Sequence, residues 1–225
     1  MQSFSSLCKP LSPAFLHPNN MPVRIGLVVL ATDMVVEVEW REIFAGLPIE
    51  ILVARIACAA EVTPKALLTM AHEIGHCASL ILPDVELDAI AYGCTSGSLV
   101  IGEEKVQQLL QQGNSEQITS NPFSAIKAAL AFIKAKNIVV LSPYLASVNE
   151  PFYNALDSVG YNIMAWGSLD LTLDKDIGSM NPEHLPKLIE ELLAGVDAVP
   201  DAVFISCTNF KAVAKLAELE QRYGC

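Results

Sequence analysis

Six short, unbroken apolar runs punctuate the chain: VRIGLVVL (23–30), IEILVARI (49–56), DAIAYG (88–93), NIVVLS (137–142), YNIMAW (161–166) and DAVFIS (201–206). Each is too short for a typical helix and apolar without alternation, which predicts strands covered on both faces. The intervening KALLTMAHEIGHCASLI, SLVIGEEKVQQLLQQ, FSAIKAALAFIKAK, LPKLIEELLA and FKAVAKLAELEQR space their apolar residues by three and four, the helical period. Strand followed by helix, repeated, predicts an α/β protein with parallel sheets. The first 20 residues carry Pro, Ser and Asn without periodicity and read as a disordered leader, so folded sequence is expected from about Met21. The leader has no acid, but it also has no Arg and no convincing amphipathic helix, which leaves only a weak likeness to a transit peptide.

A repeat is superimposed on this alternation. DAIAYGCTS (88–96) is echoed by DAVFISCTN (201–209), which puts Cys94 and Cys207 113 residues apart. The same offset carries Ile25 onto Ile138, Glu37 onto Glu150 and Trp40 onto Tyr153, and it pairs the only two Cys-Thr dipeptides. The expectation is a duplication: two pseudo-symmetric, Rossmann-like domains with parallel sheets, 21–120 and 121–225, with the site between them. By the same offset Cys225 corresponds to residue 112, where the first copy still continues into GNSEQITSNPFSAIKAALAF, so the strand and helix completing the second domain are expected to be missing.

Composition narrows the function classes. With 52% hydrophobic and 17% charged residues the core should be large. A net charge of -11 with only 14 Lys and Arg argues against nucleic acid, and no apolar run approaches the roughly 20 residues of a membrane span. Six cysteines, at 8, 58, 77, 94, 207 and 225, include no C-x-x-C pair, so disulfides and structural zinc are both poor readings and a reducing cytoplasm is expected.

Two motifs offer chemistry. HEIGH (72–76) has the spacing of a catalytic zinc site on a helix from Pro64 to about Leu82, capped by Thr63. Leu67, Ala71, Ile74, Ala78 and Ile81 would form its buried stripe, leaving His72 and His76 as a partly exposed pair beside it. The extended zincin signature with its third ligand is absent, which disfavours a protease. Cys94 and Cys207 are better placed. Each ends a predicted strand and precedes a predicted helix, at the sheet edge where open α/β folds hold ligands. Thr95, Ser96, Thr208 and Asn209 are helix-capping types, and free N–H groups there bind carboxylates and depress a thiol's pKa. Two such thiols on opposite faces of one small acid suit chemistry at a carbon centre or a double bond. Cys58 and Cys77 read as ordinary small buried residues.

AYGCTSGS, ISCTN and the strand-loop NIVVLSPYLASVNEPF resemble the aspartate/glutamate racemase superfamily, and GCTS with SPY and VNE is most similar to its maleate cis-trans isomerase and arylmalonate decarboxylase-like branch. The likeness runs from about Arg24 to the last residue. It implies a cofactor-free, metal-free enzyme acting on a small carboxylic acid, expected as a homo-oligomer. Cys94 would add to maleate and Cys207 would protonate the neighbouring carbon; the alternative is an Asp/Glu-type racemase using the same thiols. It further implies that Tyr144, with Thr95, Ser96, Thr208 and Asn209, binds substrate. Two positions where the family carries Asn hold Asp33 and Asp174, to which a dicarboxylate would be repulsive without a neutralising partner, Lys175 being nearest in sequence. An ammonium-bearing or amide-containing acid would suit them better, unless both face solvent. A non-catalytic binder of a small acid is the remaining class.

Overall fold

The computed structural model describes residues 11–14, 21–112 and 115–224, so most of the expected leader and Cys225 lie outside the described residues. Two parallel sheets form. The first has the order β2 (Ile49–Ile56), β1 (Val23–Leu30), β3 (Ala89–Gly93) and the two-residue β4 (Thr119–Ser120). The second has the order β6 (Asn162–Ser168), β5 (Asn137–Ser142) and β7 (Ala202–Ile205). All their pairings are parallel. The α/β class with parallel sheets is therefore as the apolar runs predict.

Ten α-helices are described: α1 (Val36–Ile43), α2 (Pro64–Thr69), α3 (Ala71–Ser79), α4 (Thr95–Ile101), α5 (Glu103–Leu110), α6 (Pro122–Phe132), α7 (Ala146–Ser158), α8 (Asp174–Gly178), α9 (Leu185–Leu193) and α10 (Val213–Tyr223). None is long and apolar enough to cross a membrane. The offset of 113 carries β1 onto β5, β2 onto β6 and β3 onto β7, and it carries α1 into α7. Beside β7, where β4 would have its counterpart, no strand lies among the described residues. A groove of about 370 Å³ runs there, lined by Ile126, Leu130, Ile133, Phe204, Leu216 and Leu219.

Three local expectations change. The helix expected from Pro64 to Leu82 is two helices, because the chain turns at Met70 and buries that side chain beside Tyr92. Thr63 caps the first of them, accepting the Ala66 N–H at 3.3 Å. SLVIGEEKVQQLL divides at Gly102, whose φ of +93° is natural only to glycine. NIVVLSPYLASVNEPF is strand and then helix: α7 tolerates Pro151 because Val148, Phe152 and Leu156 are fully buried, so packing overrides the proline.

One large core joins both sheets, with Val28, Leu30, Met70 and Tyr92 packing in the same cluster as Leu141, Tyr144, Val148 and Phe210. A second core under the β5 sheet centres on Phe152, whose ring meets Phe123, Trp166 and Phe204 edge-on at 5.5, 5.8 and 5.7 Å. Phe152→Ala removes the hub of these contacts and should cost about 3–5 kcal/mol of unfolding free energy. Urea titration checks this, and a loss below about 1 kcal/mol would show that the cluster does not organise that half.

Candidate active site

Cys94 follows the last residue of β3 and caps α4, in extended backbone, with its Sγ accepting the Gly97 N–H at 3.3 Å. The Ser96 hydroxyl lies 3.7 Å from the same sulfur, and Ser98 Oγ donates to the Cys94 carbonyl at 2.6 Å. Thr95 and Ser96 are buried at the first turn of α4, and the backbone N–H that reaches the thiol is that of Gly97. A Cβ on residue 97 would stand 2.6 Å from Tyr92 Oη and 3.0 Å from Cys94 Sγ, so glycine is what lets the helix approach both. Burial pushes the Cys94 thiol up to about 11; the Gly97 N–H and the Ser96 hydroxyl oppose the rise, and the Asp174 carboxylate adds to it.

The second thiol is held differently. The helix expected from Phe210, with Thr208 and Asn209 as its capping residues, does not begin until Val213. Residues 208 and 209 form a turn, closed by the Phe210 N–H donating to the Cys207 carbonyl at 3.1 Å. Cys207 itself sits at φ +95°, a conformation costing a non-glycine residue about 1–3 kcal/mol. What holds it there is the turn's side chains, which reach across to the other sheet. Thr208 Oγ1 donates to the Gly93 carbonyl at 3.1 Å and lies 3.5 Å from Asp33 Oδ2. Asn209 Oδ1 accepts the Met34 N–H at 2.9 Å, while its Nδ2 donates to the Asp174 carbonyl at 2.8 Å. The Asn209 amide is thus consumed in a bridge, leaving its backbone N–H to favour the Cys207 thiolate. Burial nevertheless pushes the Cys207 thiol up as its largest influence, partly opposed by the Tyr144 hydroxyl.

Tyr144 is 1% exposed; its hydroxyl lies near the Cys207 thiol and the Ser206 hydroxyl, but neither its Oη nor the buried Ser206 Oγ makes a hydrogen bond of good geometry within the described protein. Both flank Cys207, and the Tyr144 hydroxyl feels the charge of both thiols. Two buried hydroxyls beside a thiol without a well-formed partner have hydrogen-bonding capacity to spare. The Tyr144 backbone is fixed by Asn149: Nδ2 donates to the Tyr144 carbonyl at 2.7 Å, and Oδ1 accepts from Ser142 Oγ at 2.6 Å.

Asp33 and Asp174 are each 5% exposed, which overturns the reading that they face solvent. Asp33 Oδ1 accepts the Val35 and Val36 N–H groups at 2.8 and 2.9 Å, capping α1, and Thr32 Oγ1 donates to Asp174 Oδ2. Burial raises the Asp33 pKa most; the two N–H groups oppose this, Asp174 adds to it, and Arg55 lowers it. Lys175 is exposed and forms no ion pair with Asp174, so it is not the neutralising partner.

His72 and His76 are exposed on α3, and among the described residues no three His, Cys, Asp or Glu side chains gather as metal ligands. Cys77 is buried and Cys58 half-buried, with Cys58 Sγ 3.2 Å from Thr32 Oγ1. Four residues escape the motif reading: Tyr92, Ser206, Thr32 and Asn149. Strand alternation could have found Tyr92, since it shares the face of Cys94 two residues on. Asn149 lies inside the quoted VNE, but only the folded α7 turns it toward Tyr144.

The arrangement has known counterparts. The arylmalonate decarboxylase family model matches residues 25–225. A maleate isomerase of Nocardia farcinica is 24% identical over 89% of this chain and 82% of its own, and one of Pseudomonas putida is 24% identical over 73% and 67%. Among solved structures, a mutant N. farcinica maleate cis-trans isomerase with a covalently bound succinylcysteine intermediate superposes with a TM-score of 0.78 at 23% identity, covering 90% of this chain and 85% of that one. Unliganded arylmalonate decarboxylase does so with a TM-score of 0.68 at 16% identity, covering 90% and 84%. A match spanning all seven strands and both thiol turns makes the chain a member of the arylmalonate decarboxylase family.

Proposed function

We propose that the protein is a cofactor-independent cis–trans isomerase of a small unsaturated acid, with maleate to fumarate as the reference reaction. The observation that carries this reading is the pair of thiols at equivalent strand ends, with two buried, unpartnered hydroxyls beside them. The relatives named maleate isomerase support it, as does the succinylcysteine intermediate described for one of them.

In this mechanism the Cys94 thiolate adds to one alkene carbon, forming an S–C bond as the π pair moves onto the neighbouring carbon and its carboxylate. The Cys207 S–H gives its proton to that carbon. A single C–C bond now allows rotation. The Cys207 thiolate then removes the proton from the same carbon, the S–C bond breaks, and the alkene returns in the trans form. Tyr144 Oη, Ser206 Oγ and the backbone N–H groups of Thr95 and Ser96 hold the carboxylate whose charge grows during addition. The attacking role falls in this reading to Cys94, whose thiolate is favoured by the Gly97 N–H and the Ser96 hydroxyl at the first turn of α4, while the Asn209 N–H and the Tyr144 hydroxyl favour the Cys207 thiolate that takes the proton back. Thr208 and Asn209 position Cys207 rather than touch substrate with their side chains.

Racemisation of an Asp/Glu-type amino acid by the same thiols is the second reading. It is favoured by the buried Asp33 and Asp174, which could pair with an ammonium group.

Proton NMR of the reduced protein with maleate in deuterated buffer should show fumarate accumulating, with Cys94→Ala and Cys207→Ala each slower by at least about 10³-fold. No fumarate from a folded sample, with loss of the α-proton signal from added aspartate or glutamate, would replace this reading with the racemase. A Cys94 thiol titrating near 11 is almost wholly protonated at neutral pH. Each pH unit below that value therefore removes up to about nine-tenths of the reactive thiolate, and kcat/KM should climb steadily between pH 7 and 9. A rate that instead falls across that range would contradict thiolate attack.

A further inference from the structure

The site equips its two ends with opposite hydrogen-bonding character. Beside Cys207 are the free hydroxyls of Tyr144 and Ser206, both able to donate to a carboxylate. Beside the other thiol-facing wall are two carboxylates with capacity to spare. Asp33 Oδ2 has only the 3.5 Å contact with Thr208 Oγ1, and Asp174 is bonded through Oδ2 alone. Neither side chain forms an ion pair. The nearby Arg55 directs Nη1 to the Leu30 and Asp33 carbonyls and Nη2 to Glu37. The Asp174 charge reaches both thiols, so this wall borders the reacting atoms.

A dianionic substrate would place its second carboxylate against these two carboxylates, neither of which holds an ion pair. A primary amide in that place reverses the match, because its two N–H groups donate to the free carboxylate oxygens. The amide is still conjugated to the double bond, so the thiolate can add as before, which an ammonium group on a saturated carbon would not allow.

We infer that the preferred substrate is the monoamide of a cis-enedioic acid, bound with its carboxylate toward Tyr144 and Ser206 and its amide toward Asp33 and Asp174. This rests on the two-thiol isomerase reading. The atoms balance as for maleate: one S–C bond forms and breaks, one proton moves from Cys207 to carbon and back, and the amide is not hydrolysed.

The test separates binding from turnover. Calorimetry at pH 7.5 compares the unreactive analogues succinamate and succinate, and NMR compares maleamate with maleate as substrates. Succinamate should bind at least about 10-fold more tightly to the wild type. Asp174→Asn should erase or invert that ratio, with Asp33→Asn moving it the same way. Maleamate should isomerise with the higher kcat/KM. Tighter binding of succinate by the wild type overturns the inference, even if both variants fail to fold, and so does a ratio unmoved in folded variants. If succinamate binds selectively but neither cis acid isomerises, the isomerase reading fails while the ligand class stands. If maleate turns over faster than maleamate, the reading stands and the inference falls.

Discussion

The bridge made by the buried amide of Asn209 is the constraint on which the rest of the site depends. Its oxygen takes the Met34 N–H at the start of α1 and its nitrogen gives to the Asp174 carbonyl at the start of α8, so one side chain fixes elements from both sheets. A Cβ added to Gly178 would lie 2.7 Å from the Asn209 oxygen, which shows how closely the bridge is packed. Because Asn209 is two residues from Cys207, fixing the amide also fixes where the second thiol stands relative to Cys94. The positive φ of Cys207 is maintained by these bonds and by Thr208 reaching Gly93, the residue before Cys94. Glu39 adds a further tie, accepting the Ala212 and Val213 N–H groups with Oε1 at 2.9 and 3.0 Å.

The strands that recur at an offset of 113 residues supply the frame, and the two copies differ at the thiols. Equivalent strands deliver two thiols to the same level, but only the first is followed at once by a helix. Cys94 receives a backbone N–H from its own helix, whereas Cys207 lies in a turn beside Tyr144 and Ser206. That inequality is what a mechanism needs when one sulfur attacks carbon and the other handles a proton.

The sheets were legible because their strands are buried on both faces and announce themselves as continuous apolar runs. VRIGLVVL, IEILVARI and NIVVLS coincide with β1, β2 and β5 to the residue. The two thiols and Tyr144 were legible through the repeat and the resemblance. Less visible was anything decided by contacts distant in sequence. Asp33 and Asp174 read as site positions with Lys175 as the nearest neutralising partner or else as solvent-facing, yet backbone N–H groups and the Thr32 hydroxyl make their burial tolerable. The segment after NIVVLS read as a loop, yet it folds as α7 with Phe152 and Leu156 in the core. The turn after Cys207 carries the same Cys-Thr pair as the helix after Cys94, so local sequence could not separate them.

The central claim is that Cys94 forms a bond to substrate carbon while Cys207 manages the proton. Peptide mapping by mass spectrometry of Cys207→Ser, incubated with maleate and quenched in acid, tests it most directly. The account predicts a succinyl adduct on the peptide bearing Cys94 and none on those bearing Cys58 or Cys77. A folded, substrate-binding variant that carries no adduct, or carries it on another cysteine, would contradict the account.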